Sequence, residues 1–530
     1  MITQLLPNLW MIPDTCNVYI LKTGRDAVAI DFGSGKWLKA LPSLGIDRLT
    51  HVFLTHPHAD QCAGLETRRR RPFTVHAPAG AEPFMDPGQL RDHRQTVRNL
   101  PYHPFPDSYR PLPRGVAAVS YDMHPNSEWQ GQGLCLRFAH TPGHGAQAIS
   151  IITELSGKQI CFCGDAAHAE STIHEPFSLE WDHWTGAGAL AAWEGIERLR
   201  GIGLDRLCPA HGPAVTDSPA RVLRALSARL MRLHRAKGSI CAGEKDHFLI
   251  SKSRPCGARE CLPHLYRFDG NSYLLVSASG ETLIVDPTRN CTRVLAGLIQ
   301  ELGVRPPDVA LATHIHWDHC GAMTALRQQA GTRICLHPRL AGPLRRVDRQ
   351  FFLYAPTTPI VPDEIWPEKG TWCWQEYDFT VAPWPGQTWW HCAFMTRIDG
   401  RKVLFGGDSF MPASRWNGTG GFCALNSSRL REGHMASARL ALRWQPDILA
   451  NGHGAIFRFT SSRFRRIIRW AQGAEKAVRN LCPTNDLAKD YYAVPVFQRN
   501  AGAEGRRRKR SQDSGDRIQY PRKPEFRKEN

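Results

Sequence analysis

No apolar run in these 530 residues approaches the roughly 20 needed to cross a bilayer. The opening residues Met1–Asn8 also lack the charged start and apolar core of a secretory leader. The sixteen cysteines lack the short, regular spacing of a small disulfide-stapled scaffold. They read as small buried apolar side chains in a reducing compartment, so a cytoplasmic protein without a membrane partner is expected. Apolar content of 42% and charged content of 22% are those of a globular chain. The length suits two domains of about 220 residues followed by a tail. Oligomeric state is left open.

The net charge of +18 is unevenly placed. Residues 501–530 hold ten Lys/Arg against five Asp/Glu, including Arg506-Arg507-Arg508-Lys509-Arg510 among Gly, Ser, Asp and Pro. With almost nothing apolar to bury, this stretch is expected to be a disordered basic tail. It reads either as an anchor for nucleic acid or as a solubilising extension, and the second is favoured.

The informative stretch occurs twice: Thr55-His56-Pro57-His58-Ala59-Asp60-Gln61, and Thr313-His314-Ile315-His316-Trp317-Asp318-His319. Each follows an apolar run that reads as a buried strand, and histidines two residues apart at a strand end point the same way. Imidazoles and a carboxylate converging there form a site for a divalent metal, zinc above all. Matched pieces follow each copy. Pro142-Gly143-His144 answers Pro385-Gly386-Gln387, Asp165 answers Asp408, and His211-Gly212 answers His453-Gly454. From His144 to Asp165 and from Gln387 to Asp408 the spacing is 21 residues, and the next interval is 46 in one copy and 45 in the other. Such agreement marks an internal repeat of a whole domain. The expected division is 1–240, 241–480 and a tail, 481–530.

This order of motifs resembles the metallo-β-lactamase superfamily, especially its glyoxalase-II-like hydrolases. The resemblance implies an α/β (α+β) fold of two tandem αββα sandwiches with a metal site at one edge of each. It implies one or two zinc ions per domain, iron or manganese being alternatives. In the first repeat it places His56, His58 and His144 on one metal, with Asp60 and His211 on a second and Asp165 bridging. In the second repeat it places His314 and His316 on one metal, with Asp318, His319 and His453 on the other and Asp408 bridging. Asp60 and Asp318 are carried as catalytic positions too.

The implied reaction is hydrolysis of an ester, thioester, lactone or related bond in a small molecule, the metal lowering the pKa of water towards ~7. A non-haem iron oxidoreductase and a nucleic-acid-processing phosphodiesterase are the alternatives; neither nuclease motifs nor a glutathione-binding set is recognisable.

Two departures stand out. Gln61 replaces a histidine of the second metal in repeat one, and Gln387 replaces one of the first metal in repeat two. His391, four residues on, is either a substitute ligand or a packing residue. Asp31 either orients a ligand histidine or satisfies backbone donors. Residues 77–135 and the tryptophan-rich stretch before Pro385 read as excursions over the sites. His76, His93, His103, His124 and His140 read as surface or packing residues, Arg68–Arg71 as a solvated helix end, and Cys161-x-Cys163 as strand alternation. Each repeat is expected to hold metal on its own. Deleting 501–530 should leave turnover of a small neutral ester unchanged within about twofold, because a segment that cannot fold does not shape a site. A large loss in that assay would contradict this.

Overall fold

A computed structural model describes residues 2–66, 72–102, 112–181, 184–238, 245–350, 352–414 and 418–493. Arg68–Arg71, His103, Phe351, the 240/241 boundary and the basic tail 501–530 lie outside the described residues.

Each half is built from two sheets. In the first, a seven-stranded sheet runs from Thr3–Leu6 to Ser120–Met123 in sequence order, and a five-stranded sheet runs from Arg206–Pro209 to Glu128–Gly131. The second half repeats the plan with eight and six strands. The tandem α+β sandwiches expected from the motifs are therefore present.

Strand alternation explains the layers. In Asn17–Thr23, Tyr19 and Leu21 face the core between the sheets with Phe138, Ile151 and Phe162. Val18 and Ile20 face the opposite way, onto Trp37, Leu41 and Leu65. Both faces are buried, so the strand reads as a continuous apolar run rather than an alternating one. Cys161 and Cys163 likewise lie on one face of Lys158–Gly164, with Phe162 on the other.

The excursion expected over 77–135 is shorter than its sequence implies. Ser120–Met123 pairs with Thr74–Pro78 as the seventh strand, and Glu128–Gly131 pairs with Leu134–His140 at the edge of the other sheet. These strands are only four residues long and half exposed, which hides their periodicity.

Residues just past the expected boundary at 481 are packed into the core. Leu481, Cys482, Leu487, Tyr491 and Tyr492 are buried in an apolar cluster with Leu223, Leu226 and Leu230 of the first half. That cluster is shared: helix Pro219–Ala236 packs against helix Ser461–Arg479, and Phe422 and Leu425 join it. Within it Lys237 and Glu180, both almost wholly buried, form an ion pair. Lys237 Nζ also donates to the Phe422 carbonyl at 2.8 Å, and the Tyr491 hydroxyl donates to Glu180.

Because the halves share this core, independent folding of each, which separate metal binding requires, is not what the packing supports. A fragment ending at residue 240 should expose the cluster and bind a hydrophobic dye. In the full chain, Lys237→Ala should lower unfolding free energy by about 3–5 kcal/mol, since it strands a buried carboxylate. Arg25→Ala, in the exposed Arg25–Asp47 pair, should leave the urea midpoint nearly unmoved.

Candidate metal centres

Strand Arg48–Phe53 ends just before Thr55, and His58 begins the short helix Ala59–Cys62. This places the His56 and His58 rings 4.6 Å apart and nearly perpendicular. The Pro142–His144 turn closes the third side. His144 Nε2 lies 3.0 Å from His58 Nδ1, and 3.5 Å from Asp165 Oδ2. Asp165 Oδ2 is also 3.6 Å from His56 Nε2, while its Oδ1 meets His211 Nδ1 at 2.8 Å. His211 Nε2 is 3.3 Å from Asp60 Oδ2. Two converging groups result, His56/His58/His144 and Asp60/Asp165/His211, with one carboxylate oxygen turned to each.

The second repeat forms His314/His316/Asp408 and Asp318/His319/Asp408/His453. His453 Nε2 is 3.0 Å from Asp408 Oδ2 and 3.4 Å from Asp318 Oδ2. All twelve residues expected to bind metal thus fall into these four groups.

Beneath the histidines lies a repeated relay. Asp31 and Asp286 both adopt positive φ, 57° and 52°, after their strands. Thr313 Oγ1 donates to Asp286 Oδ2 at 2.8 Å, so its lone pair is left to accept from His314 Nδ1–H at 3.0 Å. That fixes the tautomer with the Nε2 lone pair towards the site. Thr55 stands between Asp31 and His56 in the same way. Gly164 and Gly407 pass over these threonines at φ 55° and 53°, where any side chain would collide with the threonine hydroxyl.

The departures are buried amides. Gln61 donates to Asp60 Oδ2 at 3.0 Å, and Gln387 to Asp408 Oδ2 at 3.2 Å. In the second repeat His319, the residue matching Gln61, is held by Asp286 Oδ2 at 3.0 Å. Asp31 has no such cation, and burial pushes its carboxyl up to about 8. His391 does not join the His314 group. It stacks on His314 with ring planes 3° apart and donates from Nδ1 to its neighbour's carbonyl, with Nε2 against Gly407.

His76 is engaged by His51 and Asp122, His93 packs on Phe84, His140 bonds the Ala146 carbonyl and His124 is exposed. None of them enters the four groups.

Several neighbours escape a reading of the sequence. His174 stacks on His211 with centroids 3.6 Å apart, and Ser178 Oγ lies 2.9 Å from His144 Nδ1. Glu175, at φ 49°, is pushed up to about 7 by burial beside Asp60 and Asp165. In the second repeat Asn426 Nδ2 contacts His316 Nε2 at 3.0 Å, and Asn271 Nδ2 contacts Asp318 Oδ2 at 3.0 Å. Asn17 matches Asn271, two residues before the paired Tyr19 and Tyr273; only that match was available as a signal.

The donor sets suit a divalent cation. Asp165 Oδ2 and His314 Nε2 are buried and make no hydrogen bond among the described residues, although both face other metal-binding side-chain types. Burial lowers His144 to about 3, leaving it a neutral donor. Burial works against charge on His211 too, but Asp165 and Asp60 outweigh it and raise it to about 11.

A family model described as the metallo-beta-lactamase superfamily matches residues 11–225 and again 265–454. The chain belongs to the metallo-beta-lactamase superfamily. Its similar relatives include the atrochrysone carboxyl ACP thioesterase dmxR1 of Cryptosporiopsis sp. (strain 8999), 22% identical over 224 residues, 41% of this chain and 55% of that protein. Thioesterase pkgB of Emericella nidulans is 24% identical over 225 residues, 41% of this chain and 51% of that protein. The matches span about half the length of these relatives. Among solved structures, a metallo-beta-lactamase family protein from Thermus thermophilus is 17% identical, with a TM-score of 0.34 over 44% of this chain and 83% of that one. No helix among the described residues of this superfamily member is long and apolar enough to cross a membrane.

The electrostatics predict different pH behaviour for the two groups of the first repeat. His211 is protonated in the metal-free state at neutral pH, and a cation at Asp60/Asp165/His211 has to displace that proton. Affinity there should therefore rise by about tenfold per pH unit between about pH 6 and 9. No proton has to leave His144, so the three-histidine group should depend on pH less. Calorimetry in buffers of differing ionisation heat should read about one proton released per metal bound at Asp60/Asp165/His211. A pH-independent affinity there would contradict the account.

Proposed function

We propose that this protein is a metal-dependent hydrolase acting on a thioester, with the first repeat as the more competent site. The observation that carries the reading is the convergence of His56, His58 and His144 beneath a carboxylate, Asp165, that also faces Asp60 and His211. Three neutral imidazoles are a good donor set for zinc, and Asp165 links that position to the second. When bound, the metal supplies Lewis acidity that activates water and polarises a carbonyl. His56, His58 and His144 would hold it, with Asp165 Oδ2 facing the same position. Asp60 and His211 flank the second position, which lacks the histidine that Gln61 replaces and is the more labile. The relatives named as thioesterases favour a thioester over the other carbonyl substrates.

The second repeat is assigned metal mainly at Asp318, His319, Asp408 and His453. A neutral amide at Gln387 stands in place of an imidazole at its other position, and that position is the weaker for it.

Metal content of protein purified without added metal identifies zinc, iron or manganese, and an aryl-thioester assay reads turnover. His58→Ala should lower kcat/KM about 100-fold or more, and His316→Ala less than about threefold. Should His316→Ala prove as damaging in a folded protein, the second repeat is the working site. Redox-active iron in place of zinc, with no thioester turnover, would overturn the hydrolase reading.

A further inference from the structure

Ser178 sits on the turn Pro176–Leu179, which closes over the Pro142–His144 loop. Its hydroxyl is 2.9 Å from His144 Nδ1, and Trp181 Nε1 donates to the Gly143 carbonyl at 2.9 Å. With Nε2 of His144 turned to His58 and Asp165, Nδ1 carries the proton and donates to Ser178. The turn is short, and its two flanks are fastened from the far end of the chain. Ile173 N–H donates to the Leu481 carbonyl at 2.9 Å, and Trp184 Nε1 to the Gly420 carbonyl at 3.0 Å. Glu180, next after the turn, accepts from Tyr491 and from Lys237, which in turn bonds the Phe422 carbonyl. All three side chains are almost wholly buried, so water does not compete for these bonds.

We propose that Ser178 and Tyr491 are positioning residues of the first-repeat metal site, Ser178 fixing the tautomer and direction of His144, and Tyr491 holding the Ser178 turn from beyond the second repeat. The inference rests on the reading of His144 as a metal ligand. It makes the three-histidine site a property of both repeats: residues 481–492 act as a strap across the first.

The test measures zinc affinity by chelator competition in the full chain. One background carries His314→Ala, His319→Ala and His453→Ala, to isolate the first repeat. Another carries His56→Ala, His58→Ala and His211→Ala, to isolate the second. Ser178→Ala should weaken first-repeat affinity about tenfold or more, in the range seen for partners of metal-bound histidines, and Ser178→Thr should restore most of it. Tyr491→Phe removes only the hydroxyl and should weaken the same site about three- to tenfold, leaving second-repeat affinity and far-UV circular dichroism unchanged. The proposal is overturned if Tyr491→Phe leaves first-repeat affinity intact, or if both repeats weaken together, as general loosening would cause. His144→Ala is the control for the underlying reading. If it fails to weaken binding, His144 is not a ligand; if it does while Ser178→Ala and Tyr491→Phe do not, only the positioning claim falls.

Discussion

A carboxylate buried as deeply as Asp165 or Asp408 stays ionised only where positive charge meets it, and the arrangement around each follows from that requirement. In the metal-free chain His211 meets Asp165, while His319 meets Asp408. The carboxylates favour the protonated form of His211 and His319, and a divalent cation would have to displace those protons. The neutral histidines, such as His144, sit on the other side of the same carboxylates, where burial wins over charge. One buried anion thus sorts its neighbours into charged and uncharged donors.

The two repeats keep the backbone devices that make this possible. The positive-φ aspartates, the threonine relay and the glycines above it recur at matching places. What diverges is the side chain presented to the cation. Gln61 and Gln387 are buried amides whose NH2 groups donate to the neighbouring aspartates, Asp60 and Asp408. An amide donor there partly satisfies the carboxylate, so each glutamine is accommodated without disturbing the surrounding backbone.

The converging histidines and aspartates were legible because they are local: a strand end, a turn and a strand end again, each with its own short spacing. The sandwich was legible for the same reason, through apolar strands such as Val18–Leu21. His174, Ser178 and Asn426 were not, because they reach the site from loops whose position is set by contacts far away in sequence. The burial of residues 481–492 was missed for a related reason. Tyr491 and Leu487 are few among polar residues, and their burial depends on a surface, helix Pro219–Ala236, that lies some 250 residues earlier. Periodicity cannot report a partner of that kind.

The bond between Tyr491 and Glu180 joins residues 311 positions apart. During synthesis the first repeat is therefore complete in sequence long before it can be complete in structure. At about 5–20 residues per second, the interval between Lys237 and Tyr491 leaving the ribosome is roughly 10–50 s. Throughout that time the bond from Tyr491 to Glu180 is unmade, and the leucines of Pro219–Ala236 lack part of their cover. The growing chain must carry an apolar half-interface until residues 481–492 arrive to cover it.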